Sequence, residues 1–351
     1  MFHGVAVPSR FLTVLTECTA SPGHVVPDRA VPDHIVRNTA EWYRTFARGE
    51  ARGRSPVYEG WASGIADDPE LLARIDELPE TLRQPSLVFA VARLFGAVEG
   101  DFGGFRSWLV DNWPRVRAGV AVRLNQTNEP GRCASLMPAL AALTGPLALL
   151  EVGASAGLCL YPDRYSYCYD DRPVIDPEDG QSPVLLRCQT NGAVPLPERL
   201  PEVVWRAGID LAPLDVDDAG DRLWLETLAW PEEHARRERI RSAIGIARAD
   251  PPLLVRGNAT DALPGLAAQA PSGVTLVVIT SGVLVYLPFL ERQRFIAEVR
   301  ALGVHWLSLE GIGVLPRVRE ALPADVGGFV LALDEHPLAF TGPHGQSLDW
   351  L

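Results

Sequence analysis

The chain has 351 residues, 47 % of them hydrophobic, and a formal net charge of −12. That length buries a large core, as one large or two modest domains. An acidic chain without a basic run is a poor partner for nucleic acid or an anionic membrane surface.

No apolar run reaches transmembrane length and residues 1–20 lack a signal-peptide pattern, so the expected location is the cytoplasm. The five cysteines, Cys18, Cys133, Cys159, Cys168 and Cys188, form no C-x-x-C pair and no Cys/His cluster of ligand spacing. This argues against a disulfide framework and against a metal centre.

In residues 1 to about 40, Pro8, Pro22, Pro27 and Pro32 limit any helix. Helical spacing begins at Thr39, with Trp42, Tyr43 and Phe46 three and four residues apart, and further helices are expected over 68–78, 86–97 and 105–117. Residues 1–120 therefore read as a helical cap or substrate domain, and Trp61, Trp108 and Trp113 as core packing. Gln126, Thr127, Asn128, Glu129 and Arg132 follow within seven positions, just before a helix. So dense a polar set lines a pocket or caps the helix, with Asn128 or Thr127 as cap and Arg132 paired to Glu129.

The strongest signal is 147–158. An unbroken apolar run predicts a strand buried on both faces, ending in Glu151 and breaking into Gly153-x-Ser155-x-Gly157. Strand, glycine loop and helix would open a nucleotide-binding α/β domain, with main-chain N–H groups offered to a ligand. The spacing is not G-x-G-x-x-G, and a chain without lysine has no phosphate-loop lysine. Next, 163–169 and 184–188 read as a strand and its hairpin partner, an insertion near 163–200. An apolar strand over 203–210 ends at Asp210, a helix spans 223–247, and a third strand from Leu253 turns at Asn258. A fourth strand, 274–279, opens onto Thr280, Ser281 and Tyr286. After a helix over 288–302, a fifth strand, 305–311, carries Glu310 at its end. A closing hairpin of 329–334 and 337–351 turns at 343–345.

Glu151-x-Gly153-x-Ser155-x-Gly157 resembles the first motif of class I S-adenosylmethionine-dependent methyltransferases, and Gly208-x-Asp210 resembles the end of their second strand. The resemblance covers about 121–351 and implies an α/β, Rossmann-like, mostly parallel sheet with the last strand antiparallel, beside the N-terminal helical domain. It implies S-adenosyl-L-methionine as cofactor, held by Glu151, Gly153, Ala154, Ser155, Gly157, Asp210, Leu211, Asn258, Ala259 and Thr280. Asp210 (Asp215 second) would accept both ribose hydroxyls, and Asn258 would accept from the adenine amino group. More narrowly, Gln126-Thr127-Asn128-Glu129 paired with Glu151–Leu158 resembles an uncharacterised bacterial methyltransferase-like family, whose usual members carry Asn at Cys159 and Asp at Asn258. Methyl transfer to a small molecule is the implied reaction, with Gln126, Asn128, Arg132 and Thr280 binding substrate and Glu129, Ser281, Tyr286 or Glu310 acting on the nucleophile. Use of the aminobutyrate arm, and a non-catalytic binder, are the alternatives. Partners are then the small-molecule substrate, neither nucleic acid nor membrane, with monomer and homodimer both open.

Overall fold

A computed structural model describes residues 38–324 and 326–351. Pro8, Pro22, Pro27, Pro32 and Cys18 lie outside the described residues.

The chain begins with helices α1 (Thr39–Phe46), extended by a π-helical turn over Ala47–Ala51, α2 (Pro56–Ala66), α3 (Pro69–Asp76), α4 (Pro85–Leu94) and α5 (Phe102–Val122). Their starts are written locally: the side chains of Asn38, Ser55, Asp68 and Asp101 each accept a first-turn N–H. Pro56, Pro69 and Pro85 sit where no N–H is needed. Helix α2, absent from the expected set, carries Trp61, which stacks on Phe105 at 3.8 Å between ring centroids. Trp61 and Trp113 are buried and Trp108 is partly buried against the same core.

Helix α6 (Arg132–Ala141) leads into β1 (Leu147–Val152). The remaining strands are β2 (Ser166–Tyr169), β3 (Leu185–Asn191), β4 (Val203–Asp210), β5 (Leu253–Arg256), β6 (Thr275–Ser281), β7 (His305–Gly311), β8 (Phe329–Leu333), β9 (His336–Thr341) and β10 (Ser347–Trp350). They form one sheet in the order β2-β3-β10-β9-β8-β7-β6-β1-β4-β5. Every residue of β1 is buried, between parallel partners β4 and β6. Leu147 and Leu149 face the core shared with α1–α6, α7 (Ala219–Thr227) and α8 (His234–Ala249). Leu150 and Val152 face α9 (Ala259–Ala267), α10 (Phe289–Leu302) and α11 (Pro316–Glu320). The protein is thus α/β with a large, mostly parallel sheet and helices on both faces. The first of these cores runs without interruption across residue 120.

Four local expectations are corrected. No α-helix follows the glycine loop: two 3₁₀ turns, Leu158–Leu160 and Pro162–Arg164, lead straight to β2, because Pro162 disfavours helix at Tyr161. Strands β2 and β3 are parallel rather than a hairpin, and β3 joins the sheet through β10. The expected helix over 223–247 is two, α7 and α8, broken around Pro231. Three closing strands, not two, form an antiparallel meander beyond β7: Asp334 and Glu335 turn β8 into β9, and 343–345 turns β9 into β10. Among the described residues no helix is long and apolar enough to cross a membrane, and no group of His, Cys, Asp and Glu has metal-binding geometry.

Candidate functional site

The glycine loop is pinned to β4. Gly153 and Gly157 adopt φ of 74° and 72°, and Ser155 shares the left-handed region at 52°, a conformation costly for a residue with a side chain. The N–H groups of Gly153 and Ala154 both donate to the Ile209 carbonyl, at 2.8 and 3.1 Å. The Ser155 N–H donates to Asp210 Oδ2 at 2.8 Å. Gly157 N–H donates to the Ala154 carbonyl at 2.6 Å, and Leu158 N–H to Asn128 Oδ1 at 2.8 Å. These donors therefore hold the loop and are not offered to a ligand, contrary to the sequence expectation. Gly208 allows the approach: a Cβ there would run into the Ala154 methyl and lie 2.8 Å from Leu254 Cδ2. Gly208→Ala is therefore expected to cost about 1–3 kcal/mol by overpacking, measured by urea denaturation.

Asp210 sits at the end of β4 as expected, with its carboxylate already engaged by the protein. Oδ1 accepts from Ala212 N–H at 2.8 Å and from Gln126 Nε2 at 3.0 Å. Gln126 also donates to the Ala212 carbonyl at 2.7 Å, so the irregular 123–129 segment crosses the edge of the sheet over β4. Asn128 holds Leu158 and does not cap α6, whose N-cap is Gly131.

Glu129 does not pair with Arg132. Its buried carboxylate accepts from Arg236 Nε at 2.6 Å, Arg239 Nε at 2.9 Å and Gly131 N–H at 2.8 Å. Burial raises its pKa, but Arg236 and Arg239 outweigh burial and hold it below the ordinary value. So tightly paired a group stabilises the site and is a poor base. Arg236 and Arg239, one helical turn apart on α8, are essential to this arrangement and carried no local signal in the sequence. His344, in the β9–β10 turn, is held down to about 4 by burial and by the neighbouring Arg236, Arg132 and Arg54.

Glu151, Thr280, Ser281 and Glu310 come together at the carboxyl ends of β1, β6 and β7, around Arg132. Glu151 is 3 % exposed, and burial with the adjacent Cys159 thiol raises its pKa well above the ordinary value despite Arg132. Glu310 is 1 % exposed; burial raises it to about 7, against the opposing effect of the Val283 and Leu284 N–H groups, Arg132 and Thr280. Its Oε1 accepts those N–H groups at 3.2 and 3.3 Å. The Oε2 atoms of both acids and the hydroxyls of Ser155 and Ser281 are buried without a hydrogen-bond partner. Thr280 Oγ1 accepts from Trp306 Nε1 at 3.1 Å. Val283 fills the space over Gly153, where a Cβ would collide with its methyl groups.

Tyr286 ends the short 3₁₀ turn that begins at Leu284 and is 46 % exposed. Asn258 caps α9: its oxygen accepts from Thr260 N–H at 2.9 Å and its amide donates to Glu291 at 3.2 Å. Ala259 is the first residue of that helix, and Leu211 is 43 % exposed beyond Asp210. A separate cavity of about 390 Å³ lies between Tyr161, Gln181 and the end of α8 and is lined by none of the expected site residues.

No curated protein and no solved structure matches the chain. A family model does match, over residues 40–350, which takes in the helical first part, the polar 123–132 segment and the whole sheet. The chain belongs to the family described as an uncharacterized protein conserved in bacteria, DUF2332.

Proposed function

We propose that this protein is an S-adenosylmethionine-dependent transferase acting on a small molecule, with methyl transfer as the leading reaction. The observation that carries this reading is the set of buried polar atoms without partners on three adjacent strands: Glu151 Oε2 on β1, Ser281 Oγ on β6 and Glu310 Oε2 on β7, with Ser155 Oγ beside them. A buried polar group left unsatisfied costs about 1–3 kcal/mol, and such atoms gather where a ligand supplies the partners. The run β5-β4-β1-β6-β7 is a parallel, doubly wound order, which supports the reading, since ligands bind such sheets at the carboxyl edge where the order reverses, here at β1.

The residues fit the cofactor unevenly. Glu151 suits its ammonium group, and ionises when a cation arrives. Asp210 suits the ribose only after Gln126 gives way, since Gln126 now takes one of its acceptor positions. Asn258 meets the adenine only if its link to Glu291 opens; Ala259 and Leu211 supply a wall there. When bound, the cofactor supplies an electrophilic carbon on a sulfonium, so the donor needs no protein acid. The chain's own work is to exclude water, align the acceptor and accept its proton at Glu310 Oε2, whose pKa near neutrality suits a base.

Calorimetric titration with S-adenosylmethionine, followed by mass analysis of the adenosyl product, tests this. S-adenosylhomocysteine supports methyl transfer, and methylthioadenosine would move the reaction to the aminobutyrate arm. Absence of both heat and turnover overturns the reading in favour of a non-catalytic protein. Glu310→Gln should lower kcat about 10²–10⁴-fold and remove the acid limb of the pH–rate profile near 7.

A further inference from the structure

We propose that the carboxyl edge of β6 holds a subsite for the carboxylate of a small organic acid, built on the Arg132 guanidinium and the Ser281 hydroxyl. Three arginines are buried among the described residues: Arg132, Arg206 and Arg236, at 9, 8 and 7 % exposure. Arg206 pairs with Asp163 at 2.7 Å and Arg236 with Glu129 at 2.6 Å. Arg132 has no carboxylate oxygen of the described residues within 4.0 Å. Its Nε donates to the Pro343 carbonyl at 3.1 Å and its Nη1 to the Ser281 carbonyl at 2.7 Å, both neutral. A guanidinium taken from water without an anion costs several kcal/mol, so an unpaired one in this setting calls for a negative ligand.

The surroundings reinforce the demand. Arg54, Arg236 and Arg239 share the two carboxylates Glu129 and Glu233, and neither of these reaches within 4.0 Å of Arg132. Burial favours the protonated form of Glu151; Glu310, raised to about 7, carries only part of a negative charge near neutrality, and His344 is neutral. Ser281 supplies the second donor: its carbonyl holds Arg132 while its buried hydroxyl has no partner. A carboxylate accepts from a guanidinium and a hydroxyl at once and brings no proton to satisfy.

That this acid is the acceptor rests on the transferase reading. Arg132 bridges β6 and the β9–β10 turn, on the Glu310 side of β1, whereas the adenosyl end is assigned to β4 and β5 on the other side.

The test uses the full chain and measures its thermal midpoint in acetate, benzoate and phosphate against chloride at equal ionic strength. A saturable rise with the carboxylates is expected, with affinity about tenfold or more weaker in Arg132→Met and several-fold weaker in Ser281→Ala. Should Arg132→Met fail to fold, Ser281→Ala still decides. No rise beyond that in chloride, a rise with phosphate alone, or variants that respond like the parent would overturn the subsite. Benzoate and S-adenosylhomocysteine binding together supports the acceptor assignment; mutual exclusion overturns it and gives Arg132 to the cofactor's own carboxylate. If S-adenosylhomocysteine does not bind at all, the transferase reading and the acceptor assignment fall, while the carboxylate titration still reads the subsite.

Discussion

Glu129→Gln is expected to lower the unfolding free energy at pH 7 by about 3–5 kcal/mol, the cost of breaking a buried ion pair from one side. The Glu129 side chain is fully buried and holds both Arg236 and Arg239, so the variant leaves two guanidiniums without their carboxylate. It also breaks the tie between the 123–132 segment and α8. The pH dependence gives a second check. Glu129 titrates below the ordinary carboxylate value, and Glu233, half-buried but held by Arg236 and Arg54, at about 2. A depressed pKa contributes stability that is present above the unfolded value and lost as pH falls through the folded one. The difference between parent and variant should therefore shrink from pH 5 toward 2. Urea denaturation at pH 7, 5 and 3 measures it; a pH 7 difference under about 1 kcal/mol contradicts the assigned network.

Glu310→Gln is expected to act in the opposite direction on stability. The Glu310 pKa is raised from 4.5 to about 7, chiefly by burial. A raised carboxyl pKa contributes stability that is complete below the unfolded value and lost as pH rises through the folded one. The parent should thus lose on the order of 3 kcal/mol between about pH 4.5 and 8, the worth of that displacement. A neutral amide of the same shape removes this loss, so the variant should be the more stable protein at pH 8 while being the less active one. Such opposition marks a group kept for chemistry at a cost to the fold. Glu151, also raised, adds a slope of the same sign that the single variant retains and a Glu151→Gln/Glu310→Gln double variant abolishes. Urea midpoints at pH 5 and 8 for the three proteins check it; a pH slope unchanged in the double variant would remove both acids from consideration.

Gln126 links the sequence pattern to the site in a way its position alone does not reveal. The dense polar segment was open to two readings, pocket or helix cap. The cap is excluded by Gly131 at the start of α6, and the segment instead closes over the sheet edge. Likewise Gly208-Ile209-Asp210 read as a binding motif, yet part of its spacing serves packing. Gly208 admits Ala154, and Asp210 holds the Ser155 N–H that a ligand was expected to take.

What the sequence determined by itself is local in origin. The unalternating apolar run of β1 specified a strand covered on both faces, and the capping side chains with their following prolines set the N-terminal helix starts. The acid, small-residue bend and acid at successive strand ends marked the carboxyl edge as the place to look. What only the tertiary structure decided are the pairings between distant segments: Gln126 with Asp210, 84 residues away, and Glu129 with Arg236, 107 away. The parallel setting of β2 on β3 and the pairing of Arg132 with the Ser281 carbonyl, 149 residues away, belong to the same class. The physical reason is that periodicity and capping act within a few residues, whereas a buried charge finds its partner through the winding of the sheet. A four-residue strand, too, has the same alternation whichever way its neighbour runs.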